Sequence, residues 1–216
     1  MNVKLWEERL QHAALVLARL TLAVLFFTQL WWKAPPTFGC PPDFSFATQA
    51  ADGSLRRTSG LCDWVGIESA GANGPRPILV ADMRTVGGPR LSVDIGWLDR
   101  LDAAFIDNFV KPNIRWFGFV VWGMEAFIFL SLFFGIFSRL GALVALAQST
   151  QLWVGLAGLA LVGEWEWSYN WMPVMAIVLL TVGAGRWLGV DQLLLPRFQA
   201  AAAKGNRLAG ALAWLM

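Results

Sequence analysis

Four stretches of this chain are about 20 residues long and nearly free of charge, and that pattern sets the fold class before any motif is considered. A helix needs about 20 mostly apolar residues to cross hydrocarbon, where every backbone polar group must be satisfied within the chain. Residues 13–32, 116–137, 140–163 and 171–188 meet that length. Charged residues make up 15% of the chain, against about 25% in a typical soluble domain. The deficit is concentrated in these runs. The expected architecture is an all-α integral membrane protein: a four-transmembrane-helix bundle with a long extracytoplasmic loop between helices 1 and 2. A soluble enzyme, a disordered chain and a disulfide-dense secreted module are disfavoured. The formal net charge of +2, with no clustered Lys/Arg stripe, leaves no nucleic-acid footprint.

The expected organisation is residues 1–32 for the N-terminus and first span, 33–115 for the loop, 116–190 for the other three spans, and 191–216 for a cytoplasmic tail. The first run reads as a retained helix and not as a secretory leader. Glu7 and Glu8 accompany Lys4 and Arg9, Arg19 interrupts the apolar segment, and no small-x-small site precedes WWKAPP. Only Ser138 and Arg139 separate the second and third runs, which predicts a tight antiparallel hairpin. Basic residues then set the orientation. Lys4, Arg9, Arg139, Arg186, Arg197, Lys204 and Arg207 fall on one side, whereas the opposite short link EWEWSYN has none. Both termini are expected in the cytoplasm of a bacterial inner membrane, with the loop outside.

That loop holds eight of the ten prolines and both cysteines, so its first part should be rich in turns. Residues 78–86 and 91–95 flank Gly87-Gly88-Pro89 and read as a β-hairpin. From Trp97, apolar residues recur at helical spacing (Leu98, Leu101, Ala104, Phe105, Phe109), with Asp99, Arg100, Asp102 and Asp107 on the other face. Two readings stand for this segment before Lys111-Pro112 ends it: a helix in the outer membrane–water interface, or one packed by its apolar face on a small loop core. Cys40 and Cys62 form an even pair in an oxidising compartment. That favours a structural disulfide closing a loop of roughly 20 residues, with a redox-active pair as the alternative.

Several of the 13 tryptophans (Trp31, Trp32, Trp116, Trp165, Trp167 and Trp171) fall at the expected outer ends of spans. They form the interfacial belt of a membrane protein; the alternative makes some of them a quinone-stacking pocket. Glu125 is the most informative single residue. A carboxyl near mid-span costs several kcal/mol unless paired, hydrated or protonated. At the helical rise it lies roughly 18 Å from the cytoplasmic end, with Gln151 near 16 Å, Gln148 near 12 Å and Arg19 near 9 Å. A buried polar cluster of Glu125, Gln148, Thr150, Gln151 and Arg19 is therefore geometrically feasible, either as a hydrogen-bonded lock between helices or as a proton-transfer and quinone-headgroup site. In the second reading Glu125 and Arg19 do the chemistry, and Gln148, Gln151 and Trp122 contact the quinone. One histidine, His12, and two cysteines fall short of bis-histidine haem or a cysteine-ligated cluster. No haem, iron–sulfur cluster or metal is expected.

The pattern resembles the DoxX-like superfamily, and within it the DoxD small subunit of thiosulfate:quinone oxidoreductase. The segment LARLTLAVLFFTQLWWK is similar to the family's Arg-containing first helix ending in Lys, with Arg19 and Lys33 at those places. GMEAFIFLSLFFGIFSRLGALVAL carries Glu125, Gly135 and Arg139. GAGRWLGVDQLL carries Gly183, Gly185, Arg186, Gly189 and Asp191. The resemblance implies a membrane subunit of a quinone-linked oxidoreductase, with a donor such as thiosulfate outside and a DoxA-like partner or other membrane-complex subunits beside it. The competing expectation is a non-catalytic accessory subunit of a larger respiratory or photosynthetic complex.

Overall fold

In a computed structural model, residues 3–72, 77–82, 90–156, 159 and 167–216 are described. The chain is all-α in its bulk. Its elements run α1 (Val3–Trp32), β1 (Thr48–Gln49), β2 (Leu55–Arg56), α2 (Gly60–Gly71), β3 (Pro77–Asp82), β4 (Arg90–Asp94), α3 (Gly96–Phe105), a π turn (Ile106–Val110) and a 3-10 turn (Lys111–Asn113). Then follow α4 (Ile114–Phe134), α5 (Ser138–Leu156), α6 (Trp167–Val182), a second 3-10 turn (Ala184–Arg186), α7 (Asp191–Ala203) and α8 (Arg207–Trp214). Among the described residues, two helical runs are long and apolar enough to cross a membrane: Lys4–Trp32 and Gly96–Phe134. Asn170–Val182 is a shorter apolar helix. Of the expected link EWEWSYN at 164–170, residues 164–166 lie outside the described residues and 167–170 are the first turn of α6; the end of the third run beyond Leu156 lies largely outside the described residues.

The chain divides into two compact units. The first comprises Met1–Trp31, Gly123–Gln148 and Trp171–Met216. Its core is aliphatic and close-packed, with Leu22, Ala23, Ile128, Leu132, Ala145 and Ala176 wholly buried. Two glycines matter to one contact. The Arg19 guanidinium donates to the carbonyls of Ala184 (3.1 Å), Trp187 (3.2 Å) and Leu188 (2.9 Å), and its Nη1 also lies against Gly135 and Gly189, where any side chain would collide with it. Asp191 works beside it. Its carboxylate accepts from the backbone amides of Phe137 (2.7 Å) and Ser138 (2.9 Å), capping the start of α5. Its own amide donates to the carbonyl of Gly135 (2.8 Å). The α4–α5 turn and the chain after α6 are thereby fastened to one another and to α1.

The tail belongs to the same unit. Arg139 donates to the carbonyls of Thr181 (3.1 Å) and Trp214 (3.3 Å), and the amides of Arg139 and Leu140 both donate to Leu215 (3.1 and 3.2 Å). Residues 191–216 thus form two helices joined at Asn206, whose side chain accepts from the Ala209 amide to start α8.

The second unit comprises Trp32–Trp122 and Ser149–Asn170. Cys40 and Cys62 are bonded, with Cα atoms 5.3 Å apart. They lie in a core with Phe38, Val65, Ile106, Val110 and Ile114. Strands β3 and β4 pair antiparallel, Ile78 with Val93 and Asp82 with Arg90. Two features differ from the expected ones, and a third decides between two readings. Helix α2 was not legible as a helix, because GLCDWVGIESAG has three glycines and is buried on several faces, leaving no amphipathic period. Pro112 does not end the helical run; it sits in the first turn of a 3-10 segment, where its missing N–H loses no bond. Of the two readings of α3, packing by its apolar face on a small loop core is not what the structure shows, since the stripe points outward. Asp99 is wholly buried, whereas Trp97 and Leu101 are each 61% exposed.

Replacing Arg19 with Met should lower stability by about 3 kcal/mol or more, since it leaves buried carbonyls without a donor and Asp191 without its neighbouring charge. Arg19→Lys should recover only part, because one ammonium lacks the planar fork that reaches three acceptors. Thermal unfolding of the detergent-solubilised variants measures both.

Candidate functional site

Two buried polar clusters stand out, one in each unit. In the first, Glu125 projects from α4 and is 1% exposed. Gln148 on α5, also buried, donates from Nε2 to Glu125 Oε1 at 3.2 Å. The donor is a neutral amide, so this bond carries no opposing charge to the carboxyl. Trp122 lies one helical turn before Glu125 on α4 and is half-buried. Of the expected cluster, Glu125 and Gln148 are brought together. Arg19 is engaged instead with the carbonyls after α6, and Gln151 belongs to the other cluster. Thr150 is exposed. His12 stacks on Trp187, ring centroids 4.5 Å apart.

The second cluster is built on three helices of the second unit. Glu68 of α2, buried, accepts from Gln151 Nε2 of α5 at 2.6 Å. The same amide nitrogen lies 3.4 and 3.5 Å from the two oxygens of Asp102 on α3. Gly155 makes this possible: a Cβ there would press within 2.9 Å of the Glu68 carboxyl, so only glycine lets that side chain lie against α5. Burial pushes Glu68 up to about 8, and the nearby Asp102 and Asp99 charges add to the rise. The Gln151 bond and the charge on Lys33 oppose it. At neutral pH this carboxyl therefore holds its proton most of the time.

Glu68, Asp99 and Asp102 were missed from sequence. One signal existed: Asp99 and Asp102 are spaced i, i+3 opposite the Trp97–Leu101–Phe105 stripe. The period alone leaves open whether the stripe meets a loop core or the membrane interface, and it does not show that the acids opposite are buried. Among the described residues, no group of three or more His, Cys, Asp or Glu is placed to hold a metal ion.

With this geometry in view, the comparison with known families is informative. Residues 103–215 match the family model described as the TQO small subunit DoxD, where TQO stands for thiosulfate:quinone oxidoreductase. The chain belongs to the DoxD family. The match runs from within α3 to the end of α8, so it includes Glu125, Gln148, Gln151 and Asp191 but neither Arg19 nor Glu68. No curated protein and no solved structure is matched. Family membership, together with two helical runs of spanning length and apolarity, makes this DoxD chain a membrane protein.

The Glu68 shift has a defined sign. The unfolded group ionises in the ordinary carboxylate range, while the folded one keeps its proton to about 8. Between those values unfolding releases a proton, so stability is greatest at acid pH and falls as pH rises toward 8. Melting temperatures across that window should fall in the wild type and stay flat in Glu68→Gln, which keeps an acceptor for Gln151.

Proposed function

We propose that this DoxD chain is a four-span subunit of a quinone-linked oxidoreductase and that the Glu125–Gln148 pair contacts the quinone headgroup. The observation that carries the reading is the pair itself: a carboxyl and an amide, both buried, hydrogen-bonded between two helices of a membrane protein. In the proposed topology α1, α4, α5 and α6 cross the bilayer, both termini are cytoplasmic, and residues 33–115 lie outside. Four crossings are supported by the α4–α5 turn of three residues, 135–137, which joins two helices too closely for either to leave the bundle. Arginine placement supports the orientation.

A quinone bound there would accept two electrons and two protons from outside the chain. The residues supply the rest. Gln148 holds the Glu125 carboxyl in place through one N–H and retains a second for a ligand oxygen. Glu125 is the one ionisable group of the pair, so it is the group able to hand over or take up a proton at the headgroup. Trp122, one turn away on α4, offers a ring face. Arg19 acts at a distance from this chemistry, as a positioning residue that fixes the turn before α5. Gln151 is proposed to serve the Glu68 cluster, not the quinone. Electrons would come from an external donor such as thiosulfate, its side of the reaction built by the external loop and a partner protein of the DoxA type that carries the redox group.

Reconstituted wild-type protein should bind a photoreactive quinone analogue at a site that includes residues of α4 and α5. Glu125→Gln and Gln148→Leu should each weaken binding about ten-fold, the usual worth of one hydrogen bond to an ionisable group. Equal labelling of wild type and both variants contradicts the reading. So does a respiratory complex that co-purifies with this chain and turns over unchanged after its deletion, which is the outcome expected of an accessory subunit.

A further inference from the structure

Helix α3 has three distinct sides. One is buried against the second unit and carries Asp99, Ala103, Ile106 and Val110. A second is an exposed apolar stripe: Trp97, Leu101, Phe105 and Phe109, a regular i, i+4 series. Ring contacts carry that stripe onward, Phe105 to Phe109 at 5.4 Å and Phe109 to Trp116 on α4 at 6.3 Å. It is therefore continuous with the outward side of a helix long and apolar enough to span a bilayer. Four large apolar side chains in a row on a water-facing helix would be an aggregation hazard. The third side lines a groove of about 610 Å³, with small residues such as Ala47, Ala70 and Ala104 and the polar side chains of Arg100, Asp107, Asn108 and Lys111.

The two outer sides adjoin. At about 100° per residue, Arg100 lies about 60° around the axis from Trp97. The charges in the groove are not balanced. Lys111 is already committed to Asp107, at 2.6 Å, and to the Ser69 hydroxyl, at 2.8 Å. Arg100 is exposed and makes no hydrogen bond or ion pair with any described residue. A free guanidinium fork beside an apolar stripe matches a ligand that is anionic and planar-forked at one end and hydrocarbon at the other. Phosphate is bound bidentately by such a fork. A lipid tail needs only the stripe.

We propose that α3 and its π turn seat one anionic phospholipid, its phosphate on Arg100 in the groove and its chains along Trp97, Leu101, Phe105 and Phe109. The proposal rests on this chain lying in a bilayer and is independent of any quinone chemistry. The helix lies in the interface with its stripe toward the chains, so the inward acids Asp99 and Asp102 stay away from the lipid headgroups.

The test uses the full-length chain in vesicles. Leu101→Cys, or separately Trp97→Cys, is labelled with an environment-sensitive maleimide dye; Cys40 and Cys62 are bonded to each other and do not react. Spin-labelled phosphatidylglycerol and spin-labelled phosphatidylcholine are then compared as quenchers. Both should quench, the anionic lipid with about five-fold higher relative association, as one basic residue at a membrane surface provides. Arg100→Gln should abolish the preference and leave quenching by phosphatidylcholine. Excess inorganic phosphate should change nothing.

Four results would overturn it: no quenching by either lipid, equal quenching by both in the wild type, competition by inorganic phosphate (a free-anion site), or dye self-quenching that grows with protein-to-lipid ratio (a second copy on the stripe). A chain that fails to float with the vesicles would sink the membrane assignment itself, a result distinct from each of these.

Discussion

A charged or strongly polar side chain inside an apolar helix assembly survives only if its partners are buried with it. In the first unit that constraint is met by two separate arrangements. Arg19 is satisfied by backbone carbonyls at the end of α6, and Glu125 by an amide from the neighbouring helix. The Arg19 arrangement positions everything after it. With the guanidinium holding Ala184 and Leu188, Asp191 is held where it caps α5, and α5 in turn presents Gln148 to Glu125. The candidate quinone contact is thus a consequence of a fastening made elsewhere in the unit, by residues that touch no ligand.

This gives a physical reading of the residues that mark the family. Gly135, Gly185, Gly189 and Asp191 cluster around the Arg19 side chain and the α5 cap, where a Cβ at any of the three glycines would strike a side chain or backbone atom. Arg139 binds the last turn of the chain. These are devices of assembly. Glu125 differs from these: a side-chain amide, that of Gln148, donates to it from the neighbouring helix.

The sequence was legible where one force dominated. Runs of apolar residues at 13–32 and 116–137 correspond to α1 and α4, and the depth arithmetic that set Glu125 near Gln148 needed only the helical rise. Strands β3 and β4 are paired where two strands were expected, residues 83–89 with the expected turn lying outside the described residues, and Cys40 is bonded to Cys62. Legibility ended where long-range partners decide. Nothing local tells that Arg19 prefers the carbonyls of residues 184–188 to a carboxylate. The same depth arithmetic put Gln151 beside Glu125, yet it is bonded to a glutamate 83 residues earlier in the chain. Helix α3 was legible only as far as its amphipathic period, which leaves two placements of the apolar stripe open; the burial of Asp99 and the exposure of Trp97 and Leu101 decide between them.

Infrared difference spectroscopy of the reconstituted chain with a bound quinone tests the central assignment most directly, because a carboxyl that serves the headgroup must change its hydrogen bonding when the headgroup is reduced. The account predicts a carboxyl band that shifts on quinone reduction and is missing in Glu125→Gln. A reduced-minus-oxidised spectrum with no carboxyl change, or with one that persists in Glu125→Gln, would contradict it.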